Sequence, residues 1–295
     1  MRIAGLRQSA LAELRADDSE RIGLLSGAQQ AADLPLYRAR RQIGSRLRCG
    51  DPSIGGRRFV ERCGTALQAL GVGPIGALPD GIRLPKADNP ELVERLDTLL
   101  TEQEERLGLP IGHFKIIPSI ESAQGVLNCV ATAKASSRLV ALAFGAEDYT
   151  ASMEIDRTKT GEELFSARTQ VVWAAKAAGV QAIDSIFSDV NDMEALRAET
   201  VLVKRLGFTG KSLVNPRQIE VIHEVFRPTA EEIRHALEVM DAIKRAREMG
   251  TGVISLKGKM VDAPVVTRAA RTIREGVAFG MLEFDLSDEV IHGEK

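Results

Sequence analysis

Apolar residues change their spacing several times along the later part of the chain. The segment 81–86 (GIRLPK) reads as a short strand, and so do 114–119, 139–144, 181–184 and 211–214. Between these runs the period lengthens. Asn89 is placed to cap a helix, Pro90 suits its first turn, and Leu92, Leu96, Leu99 and Leu100 share a face. Helical spacing returns at 123–135, at 162–178 with Leu164, Ala167, Val171 and Ala175 on one side, and at 192–206, where Gly207 is a stop residue. Pro216 opens another helix. Short apolar strands alternating with amphipathic helices predict an α/β fold, a parallel sheet with helices outside it. After Pro228 and Thr229 the pattern turns helical, with Ile233, Leu237, Met240 and Ile243 in one stripe. GTGVIS and LKGK (250–259) then read as a turn-rich link or hairpin, and a last helix covers 265–278.

The first eighty residues do not join this pattern. Helical spacing is confined to Leu6, Leu11 and Leu14, no strand-like run precedes Gly81, and 71–79 (GVGPIGALP) is rich in breakers. Residues 1–87 hold thirteen arginines and one lysine, whereas 88–295 hold fifteen and ten. Three explanations stand side by side: a divergent domain, a loosely ordered arm, or out-of-frame translation of a GC-rich gene. The expected division is therefore 1–80, an unmatched Arg-rich segment; 81–228, a barrel portion; and 229–295, a helical extension. Over the whole chain, 44% hydrophobic and 27% charged residues permit a sizeable core. A net charge of −2 argues against a nucleic-acid partner. No run is long and apolar enough for a membrane span, and the N-terminus lacks the apolar core of a secretion signal. Cys49, Cys63 and Cys129 have no metal-ligand spacing and are odd in number, so a reducing cytoplasm is expected.

In a parallel barrel, chemistry gathers at the carboxyl ends of the strands. That rule selects Glu121, then Glu147 and Asp148 after a Gly145-Ala146 turn, then Asp184, and then Lys211, Ser212 and Asn215. Carboxylates at neighbouring strand ends suit Mg²⁺, which prefers oxygen and keeps water and substrate in its shell. The competing reading is helix capping. It is favoured for Asp192, and for Glu121 and Asp148 both readings stand. Arg245, Arg247, Lys257 and Lys259 read as a solvated basic face or a surface for a phosphate-bearing partner. His113, His223 and His235 have no partner at ligand spacing, and neither Ser119 nor Ser122 has the paired histidine a nucleophile needs. Trp173, on a helix of alanines, reads as a packing residue.

Five motifs occur in order: IPSIES (117–122), ALAFGAEDYTASM (141–153), AIDSIFSDVND (182–192), LGFTGKSLVNPRQIEVIHEVFRPTAEE (206–232) and LKGKMVDAPVV (256–266). Together they resemble the HpcH/HpaI aldolase–citrate lyase family over about 81–280, and GAEDY and GKSLVNPRQ are most similar to its citrate lyase beta branch. The resemblance implies a TIM-type (β/α)₈ barrel with a C-terminal helical extension, Mg²⁺ as cofactor and a homo-oligomer. It implies cleavage of a citryl thioester to oxaloacetate and an acetyl thioester, with an acyl-carrier (gamma) subunit and an alpha subunit as partners. Malyl- and citramalyl-thioester lyases acting on coenzyme A form the neighbouring branch. By the same resemblance Glu121 and Asp148 are metal carboxylates, Arg83 and Lys86 in RLPK match the family's fourth strand, and Asp262 in KMVDAP is one candidate for proton transfer to or from the acetyl carbon. Some relatives deliver the residue matching Asp262 to a neighbouring subunit's site. Lys86 at its strand end faces the substrate, or else makes a rim salt bridge. The family's first three strand phrases, of Phe-Val-Pro-Gly, Asp-Leu-Glu-Asp and Val-Arg-Val-Asn type, are not found in 1–80, and Arg46 and Arg48 in RLRCG do not supply the third. With those strands replaced or missing, two sheet edges would be open. A chain unstable or inactive by itself, a non-catalytic remnant, is then the expectation that competes with an active enzyme.

Overall fold

The computed structural model describes residues 80–248, 255–256 and 258–284. The expectations for 1–79, and for the side chains of Arg247, Lys257 and Lys259, lie outside these residues. The described residues form two units, 80–222 and 223–284.

In the first unit five strands, β1 (Gly81–Leu84), β2 (Lys115–Ile120), β3 (Ala141–Phe144), β4 (Gln181–Asp184) and β5 (Gly210–Lys211), make one parallel sheet in the order of the chain. Its helices are α1 (Pro90–Leu107), α2 (Ala123–Thr132), α3 (Ala146–Ser152), α4 (Phe165–Ala177) and α5 (Met193–Leu206), with α6 (Gln218–Phe226) after the last strand. A doubly wound sheet reverses its strand order so that helices cover both faces. Here every crossover advances by one strand in one direction. Right-handed crossovers of that kind stack the helices on one side, which is the winding of a barrel. Among the described residues the sheet is not closed.

Local chemistry accounts for the element boundaries. Asn89 Oδ1 accepts the Leu92 N–H at 3.2 Å, Pro90 opens α1, and Gly108 ends it at φ 67°. The buried stripe of α1 is Val93, Leu96 and Leu100, so the expected face is rotated slightly, and Leu92 and Leu99 are only half-buried. Asp192 caps α5 through the Ala195 N–H at 3.0 Å, and Gly207 closes it at φ 106°. The last strand stops at Lys211 and not at Val214, because Gln218 Oε1 takes the N–H groups of Val214 and Asn215. Those donors turn towards α6 and leave the ladder.

Parity along the strands separates two sets of side chains. Leu84, Ile116, Ile120, Leu142 and Phe144 are fully buried. Ile117, Ala141, Ala143 and Ile183, of the opposite parity, form a separate small apolar cluster. In the second unit α7 (Ala230–Glu248) packs on α8 (Ala263–Ala278) through Ala236, Val239, Met240 and Ile243 against Ala269, Ala270 and Ile273. The expected hairpin is present as antiparallel β6 (Ser255–Leu256) and β7 (Lys259–Met260).

Candidate active site on the strand-end rim

Arg83 leaves β1 on the same side as Ser119 leaves β2. Its Nε donates to Ser119 Oγ at 2.7 Å and its Nη1 to Ser212 Oγ at 3.2 Å. Ser212 follows the fifth strand, so one guanidinium reaches across the sheet from its first strand to its last. That reach requires a strongly curved sheet and places Arg83 on the concave side. Solvent reaches this side chain, yet the protein around it holds the guanidinium below its ordinary value, with the Glu121 charge pulling the other way.

Three residues beyond Arg83 the chain makes a costly turn. Lys86 adopts φ 48°, a left-handed conformation that costs a residue with a Cβ roughly 1–2 kcal/mol. In that conformation its backbone N–H meets Glu121 Oε2 at 3.1 Å and its ammonium meets Asp148 Oδ1 at 3.2 Å. One residue thus joins both carboxylates singled out in the sequence. Glu121 follows β2, and Asp148 lies in the first turn of α3, directly after β3. The Glu121 side chain lies over Gly145, where an added Cβ would stand 2.6 Å from Glu121 Cγ. Glycine is therefore required between β3 and α3 for Glu121 to keep this position. Burial lifts the Glu121 carboxyl above its ordinary value; Arg83 opposes the rise and the nearby Asp148 charge adds to it.

These groups suit a hard divalent ion. Mg²⁺ is commonly held by one or two carboxylates, its other positions going to water and substrate. Glu121 and Asp148 provide that number, and the Lys86 ammonium already puts positive charge against Asp148. Among the described residues no cluster of three or more His, Cys, Asp or Glu is present, as a dedicated all-protein metal cage would need.

Ser212 thus joins the rim, whereas the strand-end candidates Asp184 and Lys211 fall elsewhere. Asp184 and Lys211 are register partners of opposite charge, fully buried on the helix side of the sheet. Lys211 Nζ binds Asp184 Oδ2 at 2.6 Å and Glu199 Oε1 at 2.6 Å, and Arg168 binds Asp184 at 2.9 and 3.1 Å. Lys211 and Arg168 drive the Asp184 and Glu199 carboxyls below their ordinary values against the desolvation of burial. This is a structural network, and the strand-end rule alone did not separate it from the rim. Asp262, in the second unit, caps α8 through the Val265 N–H at 3.1 Å. Trp173, expected to pack, is 68% exposed, because the buried face of α4 is Ala167, Arg168, Val171, Val172, Ala174 and Ala175. Sequence reasoning selected Ser212 by position and read Gly145 as a turn, but it missed that Ser119 and Ser212 hold Arg83 and that Gly145 makes room for Glu121. Strand parity was the available signal, since Ile117, Ser119 and Glu121 alternate onto one face.

The family model for HpcH/HpaI aldolase/citrate lyase matches residues 66–216, starting ahead of β1. The citrate lyase subunit beta of Leuconostoc mesenteroides subsp. cremoris is 46% identical over 66% of this chain and 65% of its own length. That of Escherichia coli (strain K12) is 40% identical over 69% and 68%. The chain thus spans about two thirds of the length of these relatives. Among solved structures, the protein CitE from Mycobacterium tuberculosis, in complex with magnesium, acetoacetate and coenzyme A, aligns with 74% of this chain and 73% of its own. The TM-score is 0.56 at 26% identity.

Proposed function

Because the chain belongs to the HpcH/HpaI aldolase/citrate lyase family, we propose that it is the carbon–carbon-cleaving subunit of a citrate lyase, acting on a citryl thioester in a Mg²⁺-dependent reaction. The observation that carries this reading is the 46% identity to a citrate lyase subunit beta, joined to a rim where Lys86 links two carboxylates beside an arginine. The products are oxaloacetate and an acetyl thioester. A homo-oligomer working in the cytoplasm with an acyl-carrier (gamma) subunit and an alpha subunit belongs to the same reading. Among the described residues no helix is long and apolar enough to cross a membrane.

In this proposal Glu121 and Asp148 hold Mg²⁺, which when bound supplies Lewis acidity and a template for the keto oxygen and its adjacent carboxylate. Arg83 binds a substrate carboxylate, and Ser119 and Ser212 fix the guanidinium beforehand, which lowers the entropy lost on binding. The Lys86 ammonium turns from Asp148 to the thioester side of the substrate. A positioned base or water takes the citryl hydroxyl proton as the carbon–carbon bond breaks. The electron pair of that bond passes to the methylene carbon, which takes up a proton to become the acetyl methyl group. Asp262 is assigned that proton transfer, delivered to the site of a neighbouring subunit.

Purified full-length chain tests the reading by oxaloacetate release from a citryl thioester. The expected result is release with Mg²⁺ that EDTA abolishes, and no release overturns it in favour of an inactive remnant. The second reading, a coenzyme A-dependent malyl- or citramalyl-thioester lyase, draws on the coenzyme A bound by the CitE structure. Faster cleavage of malyl- or citramalyl-coenzyme A than of carrier-bound citryl thioester would favour it.

A further inference from the structure

Asp148 is the less anchored of the two carboxylates. It sits in a helix of seven residues whose N-cap, Gly145, offers no side chain to the first turn. Two other contacts hold that turn. The Ala146 N–H donates to Ser185 Oγ at 2.9 Å, and Glu147, next to Asp148, forms an ion pair with Arg157 Nη1. Arg157 lies in the loop after α3 and is mostly buried, and its second nitrogen faces the protein. Nη2 donates to the Ile186 carbonyl at 2.9 Å and stands 3.4 Å from Glu199 Oε2. Glu199 in turn is held by Lys211 and Arg168 at 2.6 and 3.1 Å. The charge network on the helix side is therefore linked to the rim through one guanidinium.

We propose that Arg157 is a positioning residue, which fixes Glu147 and thereby sets the orientation of Asp148 towards a divalent cation. This deepens the reading of Glu121 and Asp148 as metal carboxylates and rests on it. The planar fork of arginine is what the position uses. One nitrogen holds Glu147 while the other holds Ile186 and Glu199, and the single ammonium of a lysine cannot serve both directions. The Glu147 side chain is about half exposed, at 48%, so its ion pair adds little to stability and its consequence is geometric. Groups that orient a metal ligand from the next layer out typically change metal affinity by about 10–100-fold when removed.

The test is Mn²⁺ binding to the full-length chain, followed by electron paramagnetic resonance, with melting curves recorded in EDTA. Arg157→Ala and Glu147→Ala should each weaken Mn²⁺ binding by roughly tenfold or more. The double variant should be no weaker than the worse single one, because both remove the same link. Arg157→Lys should recover only part of the loss. Glu147→Ala leaves the buried network untouched, so its metal-free melting temperature should match the unaltered chain even if Arg157→Ala loosens the fold. Unchanged Mn²⁺ affinity in Glu147→Ala and Arg157→Ala overturns the proposal alone. Absence of Mn²⁺ binding by the unaltered chain overturns the metal reading of the rim, and this proposal with it.

Discussion

The two faces of the sheet carry charged residues at the same height, yet they treat them in opposite ways. On the helix side, Asp184, Lys211 and Arg168 are closed off from water and Glu199 nearly so, and two acids face two bases at 2.6–3.1 Å. Both carboxyls are held below their ordinary values. On the concave side Glu121 is raised by burial, Arg83 is accessible to solvent, and the Lys86–Asp148 pair is about one third exposed on both partners, at 29% and 38%. A buried network must balance its charge within the protein, because unpaired ions in a low dielectric are very costly. A rim that receives an ion and an anionic substrate has part of its balance supplied from outside. Under the proposed metal reading, the contrast sets acids paired within the protein apart from the acids that would hold the ion.

The largest effect is expected where the closed balance is broken. Lys211→Met leaves Asp184 paired with Arg168 alone, and Glu199 with Arg168 and the more distant Arg157, and should destabilise the first unit by about 3–5 kcal/mol in urea melts. A loss below about 1 kcal/mol would mean that the network is wetter than its burial indicates.

The next effect sharpens the contrast through its sign. Glu121→Gln should abolish the metal response of the rim, beyond the roughly 10–100-fold loss typical of groups one layer out. It should do so while raising stability near neutral pH. Asp184 and Glu199 have depressed folded values, so they favour folding above the ordinary carboxylate range and lose that contribution as pH falls through their folded values. Glu121 has a raised folded value, so its charge opposes folding at higher pH. That opposition is relieved as pH falls from the raised value towards the ordinary one. The melting temperature of Glu121→Gln should therefore exceed that of the unaltered chain at pH 7 and converge with it below roughly pH 4, under the ordinary Glu value. A variant that is less stable at pH 7 would show that Glu121 is paired for structure, like Asp184.

Much of this arrangement was legible in the chain. The five strands, the caps at Asn89 and Asp192 and the stop at Gly207 follow from local rules that depend on neighbouring residues. The stripe of α7 was legible for the same reason. Glu121 and Asp148 came from the strand-end rule together with the family resemblance. What escaped was anything fixed by distant partners. Short α3 was hidden because seven residues carry too little periodicity to register. The strand at Lys211 was expected to run on, and Gln218 stopped it. Asp184 and Lys211 looked equivalent to Glu121, since position along a strand does not say which face a side chain takes. Parity within one strand is legible, but the register that decides which parity faces the helices from strand to strand needs the sheet.

The smallest effect concerns α4, whose two sides repeat the contrast at lower stakes. Arg168 lies on its buried side within the ion network, and Trp173, five residues on, stands 68% exposed on the other. Five residues are 500° of helical turn, or 140° net, which carries a side chain from the sheet-facing surface to the outside. Trp173→Ser should therefore change the stability of the first unit by less than about 0.5 kcal/mol, the range of ordinary surface substitutions. The Trp173 fluorescence maximum of the unaltered chain should already be that of a hydrated indole. A blue-shifted maximum, or a loss of 2 kcal/mol or more in urea melts, would mean that this face of α4 is covered in solution. Concentration-dependent melting would then identify a second copy of the chain as what covers it.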